Sequence, residues 1–107
     1  MARFIHNGDA IDHTPQADVP AGAVVVQGSL VGIAMRDIPA GELGALRVTG
    51  VHEFAKATGS TINAGVSVFW DAANDRATTT ASGNTPLGKA VKAAASDDIV
   101  VWVRLDA

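Results

Sequence analysis

The sequence predicts an all-β protein: a small β-sandwich or barrel-like domain of about nine short strands, with no long helix. Runs of a few apolar or β-branched residues recur along the chain, and Gly, Pro, Asn or Asp residues separate them. An apolar residue, a turn former and then Ala-Gly occur three times, at residues 19–22, 38–41 and 62–65, and each copy precedes an extended run. Short strands joined by tight turns explain these observations together.

In the first part of the chain, strong turn dipeptides separate the predicted strands. Asn7-Gly8 ends the first strand and leads into a return strand, and Gly28-Ser29 joins two β-branched runs. These four strands are predicted at residues 3–6, 10–14, 23–27 and 30–36.

The longest predicted extended stretch covers residues 43–54. Apolar and polar residues alternate along it, which is the pattern of a half-buried strand. The residues expected on one side are Leu46, Val48, His52 and Phe54.

The last part of the chain begins with a predicted hairpin and ends with the clearest strand. Residues 66–71 and 76–80 pair across a turn, and residues 87–94 form a strand with a helical turn near Ala93. The strand at residues 99–105 alternates strictly. Val100, Trp102 and Arg104 are expected on one side, and the other side holds Ile99, Val101, Val103 and Leu105.

One domain, residues 1–107, is expected, with residues 1–14 as an N-terminal arm or hairpin. Ala and Val supply most of the apolar residues, and aromatic residues make up only 5% of the chain. A core of such small side chains leaves a modest stability margin, which oligomerisation would increase.

Charge and composition exclude several classes of protein. The net charge is −3 and the basic residues are scattered, so no nucleic-acid partner is expected. No apolar run approaches the roughly 20 residues of a membrane span, so no membrane partner is expected either. Cysteine is absent, which removes disulfides and thiolate metal sites. The simplest location is the cytoplasm of the producing cell, or something assembled there.

Residues 83–89 fit the first seven positions of a Walker A loop, GxxxxGK. The eighth position, which should be Ser or Thr to bind magnesium, is Ala90. A polar run precedes the motif, and too little chain follows it for the helix and strand that an α/β nucleotide site needs. We therefore interpret it as a glycine-bounded loop and strand, with a nucleotide-binding enzyme as the competing hypothesis.

Other polar clusters are compact but match no recognised pattern. His6, Asp9, Asp12 and His13 would place metal-binding side chains close together, yet a solvated hairpin explains them as well. His52 beside Glu53 resembles half of an acid–base pair, and a surface histidine on a strand is the simpler interpretation. No catalytic residue, cofactor site or metal site is predicted, and the protein is not expected to be an enzyme.

The two tryptophans, Trp70 and Trp102, are the large amphipathic side chains of the sequence. Tryptophan in a strand packs in a core more often than not. The competing hypothesis makes them anchors of an interface with a partner or another subunit, where Trp is enriched.

With these segments together, the sequence resembles the family of small tailed-phage capsid cement, or head decoration, proteins. The resemblance extends over nearly the whole chain and keeps the family's order of segments. The stretches that carry it are residues 4–14, 22–25, 30–34, 69–71, 77–79, 88–90 and 101–105.

The resemblance implies a structural, non-enzymatic virion protein with a β-tulip or β-clip-like fold. It implies binding to the major capsid protein on the outside of the mature head, at three-fold or quasi-three-fold sites, as a homotrimer. The N-terminal segment is expected to contact the shell. The candidate capsid or subunit contacts are Phe4, Ile5, His6, Asp9, Asp12, Trp70 and Trp102.

An alternative hypothesis is a small β-clip-like module that binds a sugar or another small ligand. Its basis is the Pro-Ala-Gly turn that precedes β-branched strands, which such modules also use. It predicts a concave pocket lined by Trp70 or Trp102.

Overall fold

The computed structural model describes residues 2–3 and 8–105 of the chain. These residues contain nine β-strands, joined by turns and loops, and no helix. The prediction of an all-β protein without a long helix is confirmed. In chain order the strands are β1 (Ala10–His13), β2 (Val24–Gln27), β3 (Leu30–Ala34), β4 (Gly44–Arg47), β5 (Val51–Ala55), β6 (Ser67–Asp71), β7 (Arg76–Thr78), β8 (Thr85–Ala90) and β9 (Val100–Leu105).

The strands form two antiparallel sheets. The four-stranded sheet has the order β1-β4-β3-β2, and the five-stranded sheet has the order β5-β9-β8-β6-β7. The described residues group into two compact units, and the chain passes from one to the other within β2, within β3 and after Val48. This grouping does not test whether the two units fold as one domain, so the single domain expected from the sequence stays a prediction.

The first unit holds a small core between the four-stranded sheet and its connecting loops. Ala34, Ile38 and Leu46 are buried, and three partly buried apolar residues pack against them: Ile11, Val19 and Val25. Gly32 is required here because a Cβ atom at this position would lie 2.7 Å from the Cβ of Leu46.

β1 pairs with β4, with Ala10 opposite Arg47 and His13 opposite Gly44. The sequence predicted residues 3–6 as the partner of this strand, and residues 4–6 of that prediction lie outside the described residues. β1 is therefore an edge strand of its sheet among the described strands.

The single long strand predicted over residues 43–54 is wrong. The stretch divides into β4 and β5, which belong to different sheets, and Gly50 adopts a φ of +92° between them. A glycine takes this conformation without steric cost, so the chain turns there. The predicted alternation survives the turn, because Leu46, Val48 and Phe54 are all buried.

The second unit is barrel-like. β9 pairs with β5 on one side and with β8 on the other, and a parallel bridge from Lys56 to Ala77 joins the two ends of the five-stranded order. Alternation along β9 buries Val101, Val103 and Leu105, as the sequence predicted. Ile99, expected on the same side, precedes the strand and is 67% exposed.

In the second unit, the sequence predicted the β6–β7 hairpin correctly and a helical turn near Ala93 incorrectly. The β6–β7 hairpin forms as expected, and the Asn74 side chain donates a 2.8 Å hydrogen bond to Asp71, which lowers the pKa of that carboxyl. The helical turn predicted near Ala93 is wrong, because Ala94 instead forms a β-bridge with Ile62.

Candidate functional site

Two of the three Ala-Gly turns bind each other in the first unit. Each is preceded by an aspartate, so that the full repeat is Asp-x-Pro-Ala-Gly. The Ala21 N–H donates to Asp37 Oδ1 at 2.8 Å, and the Ala40 N–H donates to Asp18 Oδ1 at 2.8 Å. The two carboxylates thus fix the two turns reciprocally.

The backbone around these turns pairs in the same symmetrical way. The N–H of Val19 donates to the carbonyl of Ile38 at 2.9 Å, and the reverse bond is 2.7 Å. The third turn repeats this arrangement in the second unit, where Ile62 and Ala94 exchange bonds of 3.0 and 2.8 Å. The repeated turns are therefore structural corners, which agrees with the predicted turn-rich scaffold.

An open groove of about 380 Å³ lies where the two Asp-x-Pro-Ala-Gly turns meet. Its walls are apolar, and an aspartate stands on each turn. We call it the Asp-Pro groove and define it by its lining: Asp18, Val19, Pro20, Asp37, Ile38 and Pro39.

Lys56 is a buried cation that the sequence did not single out. Its side chain is 5% exposed, and Nζ donates to three backbone carbonyl oxygens. These acceptors are Ala57 at 2.9 Å, Ala95 at 3.1 Å and Asp98 at 3.2 Å. Three donors meet three acceptors, so Lys56 fixes the 95–98 loop rather than offering a reactive amine.

Exposed side chains of β5, β9 and β8, together with Val91 just after β8, form a surface on the second unit. Cross-strand pairs place Glu53 beside Trp102 and Lys89 beside Arg104, while the Val91 N–H bonds the Trp102 carbonyl at 3.0 Å. We call this surface the outer face and define it by its exposed residues: Val51, Glu53, Lys89, Val91, Val100, Trp102 and Arg104.

Trp102 lies at the centre of the outer face, and its side chain is 46% exposed. Its indole Nε1 donates to Glu53 Oε1 at 3.1 Å. The ammonium of Lys92 lies 4.9 Å from the ring centroid, within the range of a cation–π contact. The ring is thus held in place while much of its area faces solvent.

Trp70, the second predicted contact, lies in the core. It is 6% exposed, and its ring centroid is 5.9 Å from that of Phe54. Its side chain therefore offers little surface to a partner. Packing in a core is the commoner role of a tryptophan on a strand.

The predicted N-terminal contacts are only partly described. Asp9 and Asp12 are exposed, and Asp12 lies on the edge strand β1. Phe4, Ile5 and His6 fall outside the described residues.

The Walker-like segment does not have the geometry of a phosphate-binding loop. Most of it is β8, which pairs with β6 and β9 inside the five-stranded sheet. Lys89 lies on the outer face, and no helix follows it within the described chain. The interpretation as loop and strand is confirmed.

The structure provides no support for the candidate metal cluster or for His52 and Glu53 as an acid–base pair. Among residues 2–3 and 8–105, no group of three His, Cys, Asp or Glu side chains is placed to hold a metal ion. His52 Nε2 lies 2.9 Å from the Thr49 carbonyl, and its neighbour Glu53 instead accepts from Trp102. No helix in the described residues has the length and apolarity to span a membrane.

Comparison with known families decides the class of protein. The sequence profile described as phage cement protein matches residues 5–105. This chain belongs to the phage cement protein family. Cement proteins are structural components of the phage capsid, so the family supports a capsid-stabilising role and a capsid partner. No curated individual protein matches the sequence.

Proposed function

We propose that this cement protein binds the outer surface of the mature phage head at three-fold and quasi-three-fold points and stabilises the expanded shell. The family match over residues 5–105 is the observation that carries the proposal. A protein that binds only the expanded shell stabilises it by mass action. Many symmetry-related copies then add modest individual contacts into a large total.

The N-terminal segment is the proposed contact with the shell. Among the described strands, β1 lies at the edge of its sheet, and an edge strand has backbone N–H and C=O groups that can pair with another chain. Asp9 and Asp12 are exposed at this edge. Addition of a shell strand along β1, with Phe4, Ile5 and His6 extending the contact, would join the two proteins without a deep pocket.

Self-association as a homotrimer is the second part of the proposal. The exposed Trp102 supports it, since Trp is enriched in the energetic centres of interfaces. The net charge of −3 suits a coat that leaves the packaged DNA unbound.

Co-sedimentation with purified heads tests the proposal. The protein should pellet with expanded heads and remain in the supernatant with unexpanded proheads. A truncated chain lacking residues 1–7 retains all the described strands and should bind expanded heads at least tenfold more weakly. Equal pelleting with both shells, or with neither, would overturn the proposal.

The alternative ligand-binding module has one observation in its favour. A cleft of about 230 Å³ is lined by Trp102 together with Glu53, Lys92 and Asp98. However, Lys92 and Glu53 already engage the indole, so a sugar ring would have to displace a contact to stack there. Calorimetric titration with mono- and disaccharides distinguishes the ligand-binding module from the cement protein. The module would release binding heat, and the cement proposal expects none.

A further inference from the structure

Two cations stand side by side on the outer face. Lys89 and Arg104 are directly paired across β8 and β9, and both are exposed. Like charges at such a position destabilise a sheet. Within the described residues, the contact of the Lys89 ammonium is a 3.5 Å approach to the Ser67 hydroxyl, with no carboxylate to offset its charge. A partner that supplies carboxylates would relieve this repulsion.

The outer face also holds four apolar residues and Glu53, whose carboxylate accepts the indole N–H of Trp102. Val51 is 53% exposed, Val100 38% and Trp102 46%, and they lie on the paired strands β5 and β9. Val91, which is 44% exposed, directly follows β8. Contiguous apolar surface beside charged residues is characteristic of a protein interface. Trp and Arg are also the residue types most enriched among interface residues with large energetic effects.

The Asp-Pro groove of the first unit has the complementary chemistry. It is concave, its walls are the side chains of two prolines, a valine and an isoleucine, and it has an aspartate on each of the two turns. One oxygen of each carboxylate accepts a backbone N–H, and an ionised carboxylate retains lone pairs for further donors. A lysine or arginine side chain entering the groove would find both apolar walls and opposite charge.

We infer that the outer face of one copy docks into the Asp-Pro groove of the next copy, with Lys89 and Arg104 facing Asp18 and Asp37. This inference rests on the proposed self-association, and it identifies the outer face and the Asp-Pro groove as the two surfaces that meet. Because two different patches meet, the contact is head-to-tail, and such contacts close into rings when the rotation allows. A ring of three copies joined in this way would need no second type of interface.

Two variants remove the complementary charges while keeping the local fold. Lys89→Glu places an acid opposite Arg104, so the monomer should gain a favourable cross-strand pair as it loses attraction for the groove. The double variant Asp18→Asn/Asp37→Asn retains a side-chain oxygen that accepts the Ala40 and Ala21 N–H groups. Arg47→Glu, on the exposed side of β4, is the control with the same change in charge as Lys89→Glu.

Sedimentation velocity over a range of protein and salt concentrations measures the effect. The unmodified chain should form trimers that dissociate as salt rises. Lys89→Glu and the Asn double variant should each weaken association at least tenfold, whereas Arg47→Glu should change it less than twofold. Thermal melting of each variant shows that a loss of association is not a loss of fold.

Mixing the two weakened variants provides the decisive result. The Asn double variant retains an intact outer face, and Lys89→Glu retains an intact groove, so a one-to-one mixture should contain a two-chain species that neither variant forms alone. Absence of that species, wild-type association in both variants, or a monomeric unmodified chain would overturn the inference. Binding to expanded heads is measured separately, so its presence or absence judges the proposed function independently.

Discussion

Asp18 and Asp37 each accept the N–H of the alanine in the other's turn, both at 2.8 Å. This exchange joins two identical sequence repeats into one symmetrical corner beside the Asp-Pro groove. A hydrogen bond to a charged acceptor contributes more than a neutral one, although solvent exposure reduces the effect here. The first unit therefore depends on its two turns as a pair rather than as independent loops.

Replacement of either aspartate by alanine should lower the stability of the fold. We expect each of Asp18→Ala and Asp37→Ala to cost about 1 kcal/mol, because a backbone donor loses its charged acceptor. The matching Asn variants keep an acceptor oxygen and should cost less than half as much. Urea denaturation followed by far-UV circular dichroism measures the difference, and equal losses for Ala and Asn would contradict the role of the hydrogen bonds.

Lys56 should be far more sensitive to substitution than an exposed lysine. Lys56→Met keeps most of the side-chain volume but leaves three carbonyl oxygens without their donor, at a cost of roughly 2–4 kcal/mol. Lys92→Met is the matched control, and loss of its exposed cation–π contact should cost less than about 1 kcal/mol. Similar losses at the two positions would show that the buried ammonium does not hold the 95–98 loop.

The turns and the alternating strands were predictable because their signals are local. Residues 99–105 alternate strictly, and β9 buries and exposes the expected side chains. The division of residues 43–54 was not predictable from alternation, since Gly50 turns the chain without breaking the pattern of buried residues. A period of two describes side-chain direction and does not show which sheet a strand joins.

The interactions that the sequence did not reveal join residues far apart in the chain. The aspartate before each Pro-Ala-Gly turn is visible in the sequence, but its partner is known only once the two turns lie together. The burial of Lys56 depends on carbonyl groups of the 95–98 loop, which no side-chain pattern identifies. The outer face likewise appears only when the register sets Lys89 opposite Arg104.

Gly32 should not tolerate a side chain. Alanine there would bring its Cβ to 2.7 Å from the Leu46 Cβ, and the resulting overpacking should cost roughly 1–3 kcal/mol. Gly59→Ala is the control, because it has a φ of +94° and no atom within 4 Å of the added Cβ. Backbone strain alone would then cost on the order of 1 kcal/mol. A thermal melt that falls no further for Gly32→Ala than for Gly59→Ala would contradict the close packing of β3 on β4.

The Walker-like segment should not bind nucleotide. β8 uses its backbone N–H and C=O groups in pairing with β6 and β9, so they are not arranged to hold phosphate oxygens. Calorimetric titration with Mg-ATP should release no binding heat for the unmodified chain or for Lys89→Ala. Saturable heat that disappears in Lys89→Ala would instead support a nucleotide site.

The temperature at which expanded heads release their DNA tests the capsid-stabilising role most directly. Heads lacking this protein should release DNA at a lower temperature than the same heads to which it has been added back. The increase should saturate as the binding sites fill, as expected when a ligand binds only the intact shell. Heads that release DNA at the same temperature at saturating protein would contradict a capsid-stabilising role.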